Sequence, residues 1–317
     1  MARCLIFGIS GQDGAYLARH LLARGDEVWG TSRDAAMGGF QNLVRLGIHD
    51  RVKLASAAIT DFRSVLQALT KAQPEEVYHL AGQSSVGLSF EQPVETLESV
   101  TLGTLNILEA VRFLGGKIRF YHACSSECFG DTHGVPADEQ TAFRPRSPYA
   151  VAKSAAFWEV ANYREAYGLF ACSGILFNHE SCLRPGRFVT QKIVTGARRI
   201  AAGELPGKLR LGNLDIERDW GWAPEFVEAM ALMLRQPEPD DYVIATGETR
   251  PLKDFVAQAF QEVGLDWRDH VESDPTLLRP TDLKCGTANP AKATAKLGWR
   301  ANWKMNDVVR AMIHGVL

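Results

Sequence analysis

The sequence lacks paired cysteines. Cys4, Cys124, Cys128, Cys172, Cys182 and Cys285 stand singly, with no C-x-x-C unit and no zinc-ligand spacing, which argues against a disulfide framework and a structural zinc site. No secretory signal precedes Cys4, so reduced, buried thiols in a cytoplasmic protein are expected. Long hydrophobic runs are missing as well: nothing approaches the ~20 apolar residues that span a bilayer. Neither sign of charge dominates, since 35 Lys and Arg face 37 Asp and Glu, for a net charge of −2 and a pI near 6.5. That balance offers nucleic acid no basic field. Repeats, heptads and low-complexity tracts are absent too, which excludes solenoids and coiled coils. His79 and His179 have no carboxylate or thiol at metal spacing, and no metal is expected.

What is present is a chain of 317 residues, 46% hydrophobic and 23% charged, enough for one large domain or two coupled ones. Its first half alternates short apolar runs with helical patterns. Strands are predicted over residues 4–7, 27–31, 77–80, 118–123 and 170–177. Helices are predicted from the glycine-rich stretch at 8–14 up to residue 25, and over 61–72, 94–113 and 147–166. That alternation specifies an α/β fold, a doubly wound parallel sheet with strands covered on both faces. Beyond residue 178 the pattern loosens, with helices predicted over 188–202, 224–234, 252–263 and 289–297. Residues 1–177 read as a dinucleotide-binding domain. Residues 178–317 read as a smaller, intertwined ligand-binding part, with some segments returning to the first domain.

Gly8, Gly11 and Gly14 fall as G-x-x-G-x-x-G between a strand and a helix. Glycine there permits a tight turn and lets backbone N–H groups approach a pyrophosphate at the helix N-terminus. The second strand ends "EVWGTSRD". An acidic residue at its end would bind the ribose hydroxyls of NAD, whereas a basic one neutralises the 2′-phosphate of NADP. Arg33 holds that position, with Asp34 beside it, and NADP is expected. Tyr149-x-x-x-Lys153 opens a helix, and the four-residue spacing puts both side chains on one face. A nearby ammonium favours the phenolate, which can then take a proton from a sugar or alcohol hydroxyl. Upstream, "ACSSECFG" places Ser125 and Glu127 where a buried strand ends. A buried carboxylate costs several kcal/mol unless paired or neutralised. At this point a helix cap, an ion pair and a catalytic base all remain open for Glu127.

Together these motifs make the sequence resemble an extended short-chain dehydrogenase/reductase, and within that group the GDP-mannose 4,6-dehydratases. "GISGQDGAYLA", "QPEEVYHLAGQSSVGLSFEQP", "SPYAVAK", "NYREAYGLFACSGILFNHES", "RDWG" and "LRPTDLKCGTANPAKATAKLGW" carry the resemblance over nearly the whole chain. It implies a Rossmann-type sheet, NADP as cofactor and a GDP-sugar as substrate. The family's catalytic serine or threonine falls on Ser125, its carboxylate on Glu127, its tyrosine on Tyr149 and its lysine on Lys153. Cofactor contacts are implied at Gly8, Gly11, Gln12, Asp13, Gly14, Arg33, Leu80, Ala81, Gln83, Tyr149, Lys153 and His179. Substrate contacts are implied at Ser85, Asn178, Val189, Lys192, Gly212, Arg218, Arg279 and Asp282, with the arginines on the diphosphate and a carboxylate on the guanosine ribose.

The resemblance also implies the reaction: oxidation at carbon 4, elimination of water across carbons 5 and 6, and return of hydride to carbon 6. Alternatives are a GDP-sugar epimerase or reductase using the same Tyr149 and Lys153, or a dehydratase of another GDP-sugar such as a GDP-heptose. A nucleotide-binding regulator without catalysis is a further alternative, opposed by the four intact groups. Departures from the family are visible. Ala58 replaces an Asp that faces the adenine, Ser125 replaces a Thr, and Arg187, Gln191 and Cys182 are unusual near the substrate loop. The loop "SRDAAMGGFQNL" is poor in arginine. A homodimer or tetramer is implied, packed through the Tyr149 helix and the long helix before it, with Ala150, Ala152, Ala155 and Ala156 permitting close approach.

Overall fold

The run Cys4-Leu5-Ile6-Phe7 is wholly buried and forms the centre of a sheet covered on both faces, as a continuous apolar strand requires. The computed structural model describes residues 1–317. Its strands are β1 (Arg3–Phe7), β2 (Glu27–Ser32), β3 (Lys53–Ser56), β4 (Glu76–His79), β5 (Arg119–Ser125), β6 (Phe170–Leu176), β7 (Asn178–Glu180), β8 (Leu209–Leu211), β9 (Glu217–Trp222), β10 (Tyr242–Ile244), β11 (Thr249–Pro251) and β12 (Val271–Ser273). Seven of them make one sheet in the order β3-β2-β1-β4-β5-β6-β10, every neighbouring pair parallel. This is the doubly wound Rossmann order. The direction of winding reverses between β1 and β4, and a crevice opens there at the carboxyl ends of the strands.

Helices Gln12–Ala23 and Ala223–Met233 cover one face through Tyr16, Leu17, Leu21, Phe226 and Met230. Helices Phe62–Ala72, Gly103–Leu114 and Pro148–Tyr167 cover the other through Val65, Leu69, Ile107, Leu108 and Val160. Each large side chain so buried stabilises the fold by about 1.5–3 kcal/mol. The later residues build a second core from Trp220, Phe255, Phe260 and Met312, framed by the β11-β9-β7 sheet and the β12-β8 pair. Strand β10 crosses back to lie beside β6 in the main sheet. No helix is long and apolar enough to cross a membrane.

Local chemistry sets the helix that carries Tyr149. The Ser147 side chain accepts a hydrogen bond from the Ala150 N–H, Pro148 occupies the first turn, and Gly168 ends the helix at φ 65. A cap of this kind contributes about 1 kcal/mol. The helix expected over 94–113 is instead three pieces: Pro93–Leu97, a π-helical turn Glu98–Leu102, and Gly103–Leu114. Hydroxyl groups hold the widened turn. Ser99 Oγ accepts from the Gln83 N–H, Thr101 donates to the Ala152 carbonyl, and Thr104 donates to that of Val100. Apolar periodicity carries no trace of such bonds. Strand β3 was not expected either, being a half-exposed edge without an apolar run, nor was the Met305–His314 helix. Ala150, Ala152 and Ala156 are wholly buried within the chain itself.

Candidate active site

Ser125 is the last residue of β5, and its Oγ accepts a hydrogen bond from the Glu127 N–H at 3.3 Å, capping the single turn Ser126–Phe129. That turn redirects the chain so that Glu127 points into the crevice. Tyr149 and Lys153 reach the same place from the Pro148–Tyr167 helix. Both are buried, at 9% and 8% exposure. The Lys153 ammonium donates to the Ala123 carbonyl at 2.7 Å and stands 6.0 Å from the centre of the Tyr149 ring. Burial pushes the Tyr149 phenol up, and a hydrogen bond with Ser125 works against it. Burial also lowers the Lys153 ammonium, opposed by Cys124, Cys128 and Asp13.

Glu127 is neither capped nor fully paired. Burial raises its carboxyl, the guanidinium groups of Arg218 and Arg279 pull it down, and Asp282 pushes it up again; the net direction is upward. Its Oε1 lies 4.0 Å from Arg218 Nε. Arg218, only 4% exposed, is fixed by the carbonyls of Glu217 and Leu283, both at 2.9 Å, and by Asp282 Oδ1 at 3.3 Å. Arg279 reaches the same Asp282 oxygen at 3.6 Å. Asp282 therefore gathers the two arginines expected to meet, although 60 residues separate them in sequence.

These side chains face a cavity of about 410 Å³. Its wall includes the four expected catalytic residues. Of the expected cofactor residues it also includes Asp13, Leu80 and His179, together with all eight expected substrate residues: Ser85, Asn178, Val189, Lys192, Gly212, Arg218, Arg279 and Asp282. Gly8, Gly11, Gln12, Gly14, Arg33, Ala81 and Gln83 do not line it. They build the turns behind and beside it. Gly8 has φ +90, and a Cβ there would sit 2.7 Å from the Ala81 N; one at Gly14 would sit 2.4 Å from the Gly8 carbonyl. Gln12 is buried and braces the site, donating to Asp13 and to the His179 carbonyl and accepting from Ser181. Gln83 likewise ties its loop to Thr96.

His179 Nε2 is 2.9 Å from Asp13 Oδ2, and its Nδ1 bonds the Phe177 carbonyl at 2.7 Å. Burial opposes both charges, yet the pairing prevails: Asp13 falls to about 2 and His179 rises. His79 bonds Thr104 deep in the sheet. Lys192 projects from the first turn of helix Val189–Ala201, where its ammonium donates to the Arg210 carbonyl. Arg33 is exposed after β2 and makes no hydrogen bond within the chain, whereas the Asp34 carboxylate is engaged by the N–H groups of Ala36 and Met37.

Sequence reasoning missed Arg184, Thr190 and Trp220, which also line the cavity. Arg184 pairs with buried Glu180 at 3.1 Å and lies 3.9 Å over the Phe188 ring. The signal was available, since "NHESCLR" clusters charged residues directly after a buried strand.

A parallel sheet in this order, a glycine-rich first turn and a Tyr-x-x-x-Lys helix beside a strand-end serine define the short-chain dehydrogenase/reductase class. Comparison with known proteins agrees. UDP-glucose 4-epimerase from Thermus thermophilus, solved with NAD, is 29% identical with a TM-score of 0.86, covering 99% of this chain and 100% of its own. A dTDP-glucose 4,6-dehydratase from Streptomyces venezuelae, solved with NAD, shares the fold at a TM-score of 0.86 and 21% identity, covering 98% of this chain and 96% of its own. The family model for GDP-mannose 4,6 dehydratase matches residues 5–312. GDP-mannose 4,6 dehydratase 1 of Arabidopsis thaliana is 46% identical over 98% of this chain and 88% of its own, and the Homo sapiens GDP-mannose 4,6 dehydratase is 40% identical over 98% and 90%. The chain belongs to the GDP-mannose 4,6-dehydratase family of hydro-lyases.

Proposed function

We propose that the protein dehydrates GDP-mannose to the GDP-4-keto-6-deoxy sugar with NADP as a tightly held cofactor and no net redox change. The observation that carries this reading is Glu127: a half-buried carboxyl, shifted upward by desolvation, that lines the same cavity as Ser125, Tyr149 and Lys153, where a simple dehydrogenase needs none. The cradle suits a dinucleotide. The close approach of Gly8, Gly14 and Ala81 leaves backbone space for a pyrophosphate. Arg33 is free to take a 2′-phosphate because Asp34 is spent on its own turn. When bound, NADP supplies the acceptor and donor of hydride.

This chain's residues do the rest. Tyr149 takes the proton of the carbon 4 hydroxyl, helped by the ammonium of Lys153. Ser125 donates a hydrogen bond to the carbon 4 oxygen as it becomes a carbonyl. That carbonyl acidifies the carbon 5 hydrogen, which Glu127 abstracts. The same carboxyl, now protonated, gives its proton to the departing carbon 6 hydroxyl, which leaves as water. An elevated carboxyl suits a group that must act first as base and then as acid. Arg218 and Arg279, joined through Asp282, present guanidinium forks to the diphosphate, and Lys192 adds a point charge.

Residues 1–177 serve mainly the cofactor and residues 178–317 mainly the nucleotide sugar, with β10 and helix Ala223–Met233 packed back on the main sheet. The protein acts as a cytoplasmic homodimer, supported by the apolar surface of its Tyr149 helix (Val151, Trp158) and of the preceding segment (Val94, Leu97, Leu102). Incubation with GDP-mannose in deuterated water tests the reaction. NMR is expected to show a 4-keto-6-deoxy sugar carrying deuterium at carbon 5, without accumulated NADPH. Unchanged sugar would defeat the substrate assignment, and stoichiometric consumption of NADPH would favour a reductase.

A further inference from the structure

Cys124 and Cys128 flank Ser125 and Glu127, and their sulfurs are 3.7 Å apart, in van der Waals contact. Neither has a part in the dehydration. Cys124, in β5, forms a strip of the cavity wall; Cys128, in the Ser126–Phe129 turn, is wholly buried behind it. The other four thiols have different neighbours: Cys4 meets Glu76, Cys172 the Phe120 carbonyl, Cys182 those of Ala311 and Met312, and Cys285 the Thr287 hydroxyl. The paired thiols also differ in character. Burial pushes Cys124 well up, reinforced by its contact with Cys128. Cys128 is equally buried, yet the Cys124 thiol, the Ser154 hydroxyl and the Lys153 ammonium outweigh burial and draw it below its ordinary value. Two thiols in contact, one of them on a cavity wall, are the arrangement of an oxidisable dithiol.

We propose that Cys124 and Cys128 form a redox modification site, closed to a disulfide by hydrogen peroxide admitted through the active-site cavity, and that closure stops dehydration by displacing Glu127. The Cys124 sulfur, which lines the cavity, loses its proton and attacks one peroxide oxygen, and the O–O bond breaks. This gives a sulfenic acid on Cys124 and a hydroxide that takes up that proton and becomes water. The Cys128 sulfur then attacks the Cys124 sulfur, the S–O bond breaks, and the hydroxide released takes the Cys128 proton and leaves as water. Two thiols are oxidised to one disulfide while one peroxide is reduced to two waters.

Bonding draws the sulfurs from 3.7 Å to about 2.05 Å. Only Ser125, Ser126 and Glu127 lie between them, so the contraction falls on the segment that holds the Ser125–Glu127 hydrogen bond and sets Glu127 beside Arg218. The effect on turnover rests on the dehydratase reading; formation of the bond does not.

Hydrogen peroxide titration of the cofactor-loaded protein, followed by acid quench and trypsin, tests both parts. The fragment 120–146 contains these two cysteines and no other. It is expected to lose two hydrogens in step with the loss of GDP-mannose turnover. Dithiothreitol is expected to restore both, and Cys128→Ala to keep its turnover through the same exposure. Loss of turnover with both thiols intact, full turnover with the fragment oxidised, or inactivation of Cys128→Ala at the wild-type rate would each overturn the proposal. Should Cys128→Ala fold poorly, Cys124→Ala takes the same test, and the mass change in the wild type needs no variant. A protein that forms the disulfide but never turned over GDP-mannose defeats the substrate reading and the switch, leaving the site.

Discussion

Glu127 is held against its own solvation. Burial raises its carboxyl further than Arg218 and Arg279 lower it, so the charged base is present at the expense of stability. A carboxyl whose folded value lies above its unfolded one destabilises the fold increasingly as pH climbs from the unfolded value through the folded one, and fully above that. Glu127→Gln is therefore expected to unfold at a higher temperature than the wild type at neutral pH, and at the same temperature near pH ~4 where both are neutral. Thermal melts at the two pH values check this. Turnover of the variant should fall at least ~100-fold while fluorescence titration shows unchanged NADP affinity; retained turnover would remove Glu127 from the mechanism. In the wild type the acid limb of kcat should lie above the ordinary glutamate range. Arg218→Met, which deletes one of the two groups that lower this carboxyl, should shift that limb to still higher pH.

At the scale of elements, the Asp13–His179 pair links the first helix to β7 across the crevice. Asp13 is lowered to about 2 from 3.8, so its contribution is present above the unfolded value and lost as pH falls toward the folded one. His179 is raised above 6.5, so its contribution is complete below the unfolded value and lost as pH rises through the folded one. Their joint stabilisation is therefore greatest between the two. Asp13→Asn should lower the melting temperature most near pH ~5.5 and distinctly less near pH ~9; an equal loss at both would show that the pair is not ionic.

This pair also marks what sequence could reveal. Asp13, inside the glycine motif, and His179, just past a predicted strand, were both expected at the cofactor from the family resemblance, but nothing in either segment says that they meet. The strands at 4–7 and 118–123 were legible because continuous apolar runs admit little else. The break at Glu98–Leu102 was not legible, because it rests on the hydroxyls of Ser99 and Thr101 bonding to Gln83 and Ala152 elsewhere in the chain, and on that of Thr104 bonding back to Val100. Gly14 was legible for a reason the structure sharpens, namely the contact between the helix start and the Gly8 carbonyl. Gly14→Ala should abolish NADP binding in a titration, since backbone rather than a flexible side chain stands in the way.

At the scale of the whole molecule, the proposed catalytic residues could be singled out in the sequence because they lie in two short motifs, whereas Arg184, Thr190 and Trp220 owe their place on the cavity wall to how the later residues wrap back over the sheet. The same wrapping leaves one face of the Pro148–Tyr167 helix uncovered. Ala150, Ala152 and Ala156 are spent on the chain's own interior, so the small-residue argument for association gives way to the large residues on the opposite side. Trp158 is 62% exposed and Val151 46%, with Val94 at 66% and Leu102 at 42% on the adjoining segment. A cluster of this kind on a two-fold interface would bury the aromatic side chain twice, and aromatic anchors dominate binding energy at such places. Trp158→Glu should weaken dimerisation at least ~30-fold, the equivalent of about 2 kcal/mol, as read by sedimentation equilibrium. Tyr149 and Lys153 point the other way, into the cavity, so the resulting monomer should still bind NADP. A wild-type chain that sediments as a monomer, or a Trp158→Glu chain that dimerises as tightly as the parent, would remove this face from the assembly.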